Sequence, residues 1–320
     1  MTPEGDGVLT QFMILLRQIG VFAMSLILGF CARKFKLLSK GECDSLAAFC
    51  IRFLLPLYLA TTCIDAGTVL TTAKVFILFG TFIVLHLLMH CTAFITRRVF
   101  KWTGKQADID MVIETTTNAG FIGIPMGDAL YGTYGSIFMA FYSLFDTLLM
   151  FTHKTFVLRK YEPDSSVKAW KRIINPQTVS ILIGVILAII GLNLKGNLVW
   201  DTLASVGSMT KYVALIYLGT TICDVSRESL AFIKPLCFTI VLRLLIFPVV
   251  IGLLSRLVGF GETDVFLITV LVATPPATST PALVRSFNIE SKYIQQVVII
   301  MITVSVVTIP AVMWLVLNIL

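Results

Sequence analysis

Apolar residues run along this chain in stretches of about twenty, separated by short polar loops. About 20 apolar residues in a helix span the hydrocarbon core of a bilayer. The pattern therefore predicts membrane helices near residues 8–31, 43–64, 73–96, 108–132 and 135–157. A second set is expected near 176–193, 199–223, 230–255, 263–287 and 291–319. The expected fold is an all-α polytopic membrane protein with ten spans. Residues 1–157 form a first five-helix unit, 158–175 a polar loop, and 176–320 a second unit. The first apolar run starts near Val8 with no basic residue before it and no cleavage site after it, so it reads as a retained helix and not a signal peptide.

Two spans contain residues that a membrane helix should avoid. The fourth carries TTTNAGFIGIP over Thr115–Pro125, and the ninth carries TPPATSTP over Thr274–Pro281. Backbone N–H and C=O groups cannot stay unpaired in lipid, so irregular backbone survives there only where protein or a watery cavity covers it. A matched pair of interruptions in two halves points to a transporter's binding site. Gly120 and Gly123 relax the backbone, and Pro125 fits the first turn of a new helix. One half-helix should end near Asn118–Gly120 and another start near Pro125. In the ninth span Pro275 and Pro276 should end a half-helix, and Thr280 should cap a second that opens with Pro281. Each restart presents unpaired N–H groups and a positive dipole end, which favour an anion. Thr278, Ser279, Thr280 and Asn118 add neutral hydrogen-bonding groups.

The halves look related. Tyr58–Asp65 reads YLATTCID and Tyr217–Asp224 reads YLGTTICD, identical at five of eight positions with a constant offset of 159. Five spans per unit is an odd number, so the second unit must be inverted in the membrane. Loop charges set the orientation. With the N-terminus outside, the inner loops hold Arg33, Lys34, Lys36, Lys40, Arg97, Arg98, Lys101, Lys105, Arg159, Lys160, Lys168, Lys171, Arg172, Arg227, Lys234, Arg285 and Lys292. The outer loops hold only Lys74, Lys195 and Arg256. This bias places both termini outside and the central loop in the cytoplasm.

Composition agrees with a membrane protein. Of the 320 residues, 57% are hydrophobic and 13% charged, with a mean hydropathy of +0.92. That is half the ~25% charge of a soluble domain. The net charge of +7 comes from scattered loop clusters, so no nucleic-acid partner is expected. The seven cysteines form no CxxC pair and read as small buried hydrophobes. There is no GxxxxGK[ST], HExxH or GxSxG, and no paired-Asp motif, so neither ATP use nor catalysis is expected.

Ionisable groups inside spans are functional candidates. Glu114 lies one turn before Asn118, on the same face, and could carry a coupling proton or help hold a cation. Asp146 sits among apolar residues in the fifth span, and either couples transport or pairs with Arg52 or Arg243. Those two arginines are also candidate counter-charges for substrate. Arg17, Lys154 and Lys211 lie nearer span ends and are expected to snorkel. His86 and His90 share a face at i,i+4, but with no third ligand evident they read as packing residues, and no metal is expected.

NAGFIGIP at Asn118–Pro125 resembles the fourth-span motif of the auxin efflux carrier family, which includes plant PIN proteins and bacterial malate-permease-like carriers. Asn175-Pro176, opening NPQTVSILIGVILAIIGL, resembles the start of that family's second half. ATPPATSTPALVRSFN resembles its ninth-span signature, although Ser279 stands where many members have Asn, and Pro56 fits as well. The resemblance implies two inverted five-helix repeats whose fourth and ninth spans cross at the substrate site. Spans one, two, six and seven would form a scaffold that commonly dimerises; three to five and eight to ten would form a mobile transport domain. It assigns the crossover to Asn118, Gly120, Gly123, Pro125, Pro275, Pro276, Thr278 and Ser279. The expected activity is secondary transport of a small organic anion, such as a carboxylate, dicarboxylate or auxin-like weak acid, across the plasma membrane by an elevator-like movement. No cofactor is expected beyond a coupling H+ or Na+. A Na+-coupled symporter resembling the bile-acid carriers, or a membrane sensor that binds without transporting, are the alternatives.

Overall fold

A computed structural model describes residues 3–64, 71–161, 174, 176–190, 194, 196–224, 233–285, 287, 289 and 292–319. Asp65 of the repeat, Asn175, Lys195 and most of the central loop lie outside the described residues. All regular structure among those described is helical. Six helices among the described residues are long and apolar enough to cross a membrane.

Helix α1 runs Pro3–Lys34. Lys36 then turns in the left-handed region (φ 58°), and Ser39 starts the next helix with a capping box. The Ser39 hydroxyl accepts from the Glu42 N–H at 3.3 Å, and the Glu42 carboxylate accepts from the Ser39 N–H at 2.7 Å. Helix α2 (Lys40–Cys63) contains a π turn at Cys50–Leu54, just before Pro56. Proline cannot donate to the preceding turn, which favours such an irregularity. Helix α3 is Thr72–Phe100 and α4 is Gly104–Glu114. Helix α5 (Ile124–Leu149) follows a π turn at Ala119–Gly123 and continues into another at Met150–Lys154.

Helix α5 is two arms joined by a tight reversal at Tyr131–Gly132, where Gly132 takes φ 55° and ψ −138°. The arms then pack back on each other: Ser136 donates to Asp128 at 2.8 Å, and a Cβ on Gly127 would lie 2.5 Å from the Gly135 carbonyl oxygen. This reversal falls where the sequence pattern separates the fourth and fifth apolar runs. The remaining helices are α6 (Pro176–Ile189), α7 (Leu198–Ser208), α8 (Thr210–Thr221), α9 (Lys234–Leu257), α10 (Glu262–Ala273), α11 (Thr280–Arg285) and α12 (Lys292–Ile319).

The helices gather in two groups. In the first, α1 packs on α8, and α6 and α7 pack on α2. These crossings are close enough to need glycine. A Cβ on Gly219 would sit 2.1 Å from the Leu26 carbonyl oxygen, and one on Gly29 would sit 1.9 Å from that of Ile216. Gly184 of α6 approaches the Ala60 carbonyl in the same way, at 2.6 Å. Ala60 and Gly219 are equivalent under the offset of 159. Each therefore receives a glycine-bearing helix from the other half of the chain.

The second group has an aromatic core between α3 and α5. Phe82 meets Phe138 edge-on at 5.4 Å and Tyr142 at 5.0 Å, with Phe79 and Phe145 around them. The opposite face of α3 exposes Phe76, Ile83, Leu87 and Phe94. Exposed apolar residues in such a row suit lipid and not water.

Gly219→Leu should therefore separate α1 from α8, an overpacking cost of about 1–3 kcal/mol or more. Gly20→Leu, where no atom lies within 4 Å of the added Cβ, should be tolerated. Thermal unfolding of the two purified variants in detergent checks this; equal melting temperatures would contradict it.

Candidate functional site

The first half-helix, α4, stops at Glu114. Thr115 and Thr116 turn their hydroxyls back to the carbonyls of Met111 (2.7 Å) and Val112, at the end of the helix where backbone donors run out. Asn118 opens the restart. Its Oδ1 accepts the Phe121 N–H at 3.2 Å, and its carbonyl accepts from Ile122 and Gly123 at 3.0 and 3.1 Å. Asn118 is thus the cap of the second half-helix, which starts at Ala119. The sequence expectation of a first half reaching Asn118–Gly120 and a restart near Pro125 is corrected accordingly. An asparagine that caps lets the turn form before the proline, and Pro125 falls in the second position of α5.

In the other break, α10 stops at Ala273, and the Thr274 hydroxyl returns to the Leu271 carbonyl at 2.7 Å. Thr274 is extended, and Pro275 and Pro276 follow without regular structure. The restart α11 begins at Thr280, with the Leu283 N–H on the Ser279 carbonyl at 3.0 Å. Ser279, not Thr280, therefore stands at the cap position. The Thr280 hydroxyl is buried and makes no hydrogen bond among the described residues.

The two breaks touch. The Asn118 N–H donates to the Pro275 carbonyl at 2.8 Å, so each irregular segment satisfies a backbone group of the other. Arg243 joins them again. This fully buried residue, in the π turn Val241–Ile246 of α9, donates through Nε to the Glu114 carbonyl at 2.9 Å and through a terminal nitrogen to the Val272 carbonyl. Both acceptors lie at the ends of the half-helices that enter the breaks, where the helix dipoles are negative. One guanidinium, a planar fork of donors, neutralises both ends.

On the other side of the breaks lies a cavity of about 230 Å³. Of the residues singled out in the sequence, it brings together Asn118, Gly120, Thr278, Ser279, Arg52 and Asp146. Ligand pockets commonly measure ~300–1,000 Å³, so this one suits a small molecule. The Asn118 Nδ2 group is buried and has no partner among the described residues. The Phe121 N–H is taken by the cap; those of Ala119 and Gly120, the first of the restart, belong to residues of the cavity wall. The remaining expected residues do not line the cavity. Pro275 contributes the carbonyl that accepts from Asn118, and Gly123 packs on Met139, whose sulfur would lie 3.1 Å from an added Cβ. Pro125, Pro276, Thr280 and Pro281 shape the backbone turns. Glu114 and Arg243 also stay out of the cavity wall.

Charges fall in three places. Asp146 pairs with Lys154 at 2.6 Å and not with Arg52 or Arg243. Lys154 is fully buried, which corrects its expected snorkelling: the acid two turns earlier on the same helical stretch supplies its counter-charge. Arg52, exposed in the α2 π turn at the edge of the cavity, makes no ion pair among the described residues. Lys211 pairs with Asp128 and lies 5.5 Å from the Tyr58 ring, linking α8, α5 and α2. Behind the crossing, Glu114 accepts from Thr96 at 3.3 Å, and both carboxyl oxygens of buried Asp110 are unpartnered among the described residues.

Sequence reasoning passed over Asp110, although its i,i+4 spacing to Glu114 was readable. It also passed over Ser143 and Thr147, which share the cavity face of α5 with Asp146.

The membrane transport protein family's sequence profile matches residues 15–313, nearly the whole chain. The chain belongs to this family, that of the auxin efflux carriers. No curated protein matches it in sequence. As a member of the auxin efflux carrier family it is a multi-pass membrane transporter, and the family is not an enzymatic one.

In this transporter, Arg243→Leu removes two charge-assisted hydrogen bonds, each worth ~1.5–3 kcal/mol. The folded yield and melting temperature should drop sharply. A variant with wild-type stability and only a raised KM would instead assign Arg243 to substrate binding.

Proposed function

We propose that this protein is a secondary carrier for a small organic anion with a single carboxylate, bound between the two helix restarts. The observation that carries the reading is the unpartnered Asn118 amide in a cavity of about 230 Å³ bounded by both restarts. Positive dipole ends and free N–H groups favour an anion there. The charge count favours one negative charge. Asp146 is neutralised by Lys154, which leaves Arg52 as the cation at the cavity among the described residues.

The architecture we infer has ten spans in two inverted repeats. It is supported by the offset pair Ala60 and Gly219, which make equivalent crossings, and by the two breaks meeting at one bond. The group of α1, α2, α6, α7 and α8 is the scaffold, and the remaining helices are the moving bundle. With the basic loops inside, the cavity opens toward the cytoplasm beside Pro176 and Met150. The Lys211–Asp128 pair closes the outer side and must part when the bundle moves. The buried Asp110–Glu114 pair is the proton carrier of this reading, since carboxyls in low dielectric can trade their charge for a proton when their surroundings change.

Three outcomes test it. In proteoliposomes, monocarboxylates should be taken up in preference to dicarboxylates, and the dependence on pH should exceed that on Na+; preference for dicarboxylates would overturn the charge count. Asn118→Ala should abolish uptake at unchanged folded yield, whereas undiminished uptake removes Asn118 from the site. Glu114→Gln should flatten the pH profile of uptake, and an unaltered profile removes Glu114 from coupling.

A further inference from the structure

The chain has three histidines, and they meet in one place. His86 and His90 lie one turn apart on α3, and His153 comes from the π turn Met150–Lys154 that continues α5. Ring centroids are 4.8 Å apart for His86–His90, 5.1 Å for His90–His153 and 5.8 Å for His86–His153. One nitrogen from each ring lies within 4.8 Å of the others. The third member was hidden in the sequence because it lies more than sixty residues away.

We propose that His86, His90 and His153 form a binding site for one first-row divalent transition metal ion, such as Zn2+ or Co2+. Both ring nitrogens of His86 and Nδ1 of His153 are buried without a partner among the described residues. Buried polar atoms are normally satisfied, so three orphan nitrogens in one cluster call for a ligand. The third ring is already oriented. His90 Nδ1 lies 2.8 Å from the His86 carbonyl, and a carbonyl only accepts, so Nδ1 carries the proton and Nε2 keeps its lone pair for a metal. A neighbouring backbone acceptor of this kind is the usual support for a ligating histidine.

Three neutral imidazoles select borderline metals such as zinc, cobalt, nickel or copper over Mg2+ or Ca2+, which take oxygen ligands. Zinc–nitrogen bonds of ~2.1 Å put tetrahedral ligand atoms about 3.4 Å apart. Atoms within 4.8 Å reach that spacing by side-chain rotation. The nearest cation, Lys154, is neutralised by Asp146 at 2.6 Å. Three protein ligands leave a fourth position for water. The metal would clip α3 to α5 one turn from Met150, which lines the cavity, and so brace that wall.

The test does not use transport, so it stands or falls apart from the carrier reading. The full-length protein, carrying no polyhistidine tag, is purified in detergent, stripped with EDTA and titrated with Co2+. The visible d–d absorption reports binding, and Zn2+ is then added as competitor. The expected result is one Co2+ per chain, displaced by Zn2+, with Zn2+ but not Mg2+ raising the melting temperature. His153→Gln and His86→Gln should each weaken binding by roughly 10-fold or more. Wild-type protein that takes up no stoichiometric Co2+ overturns the proposal whatever the variants do. So does a folded His153→Gln variant that binds Co2+ as tightly as wild type.

Discussion

A peptide group inside a bilayer must find its partner within the protein, and the whole site follows from how two broken segments meet that demand. The Asn118 N–H reaches the Pro275 carbonyl at 2.8 Å. Neither segment could remain irregular alone. Proline supplies an acceptor with no donor to satisfy, and asparagine supplies a backbone donor together with a side chain that caps the next helix. The crossing is therefore written in residue types that a continuous helix would reject.

Arg243 sorts the crossing by charge. It gathers the negative ends of the incoming half-helices on one side and leaves the positive starts of the outgoing halves facing the cavity. A buried arginine is costly unless its donors are used; here Nε and Nη1 go to two carbonyls at helix ends, while Nη2 has no partner among the described residues. Arg243 does not line the cavity, which leaves Arg52 as the cation of the cavity wall among the described residues. The π turns that carry these two arginines both precede a proline, Pro56 and Pro248. The missing N–H of each proline loosens the ladder where the arginine side chain must be aimed.

The sequence made much of this legible because membrane helices announce themselves by length and composition. The two breaks stood out as Gly, Pro, Asn and Thr in apolar runs, and the α5 reversal lies where the fourth and fifth runs part. The exact helix ends were not legible. Capping at Asn118 depends on a hydrogen bond to Phe121, and periodicity carries no trace of it. Pairing across the chain was equally hidden. Asp146 chose Lys154 over two arginines, and His153 joined His86 and His90, because a π turn and an interhelical seam set those distances. Arg243's role was missed because its partners are backbone carbonyls on two other helices.

The central claim is that an anion occupies the space between the restarts. Chemical accessibility of Thr278→Cys, in a background with the native cysteines replaced, tests it most directly. The rate of modification by a charged thiol reagent is measured with and without the best-transported monocarboxylate. The account predicts that the anion slows modification in proportion to its occupancy, and that Arg52→Gln abolishes the protection. A modification rate indifferent to the anion, in protein that still transports it, would contradict the account.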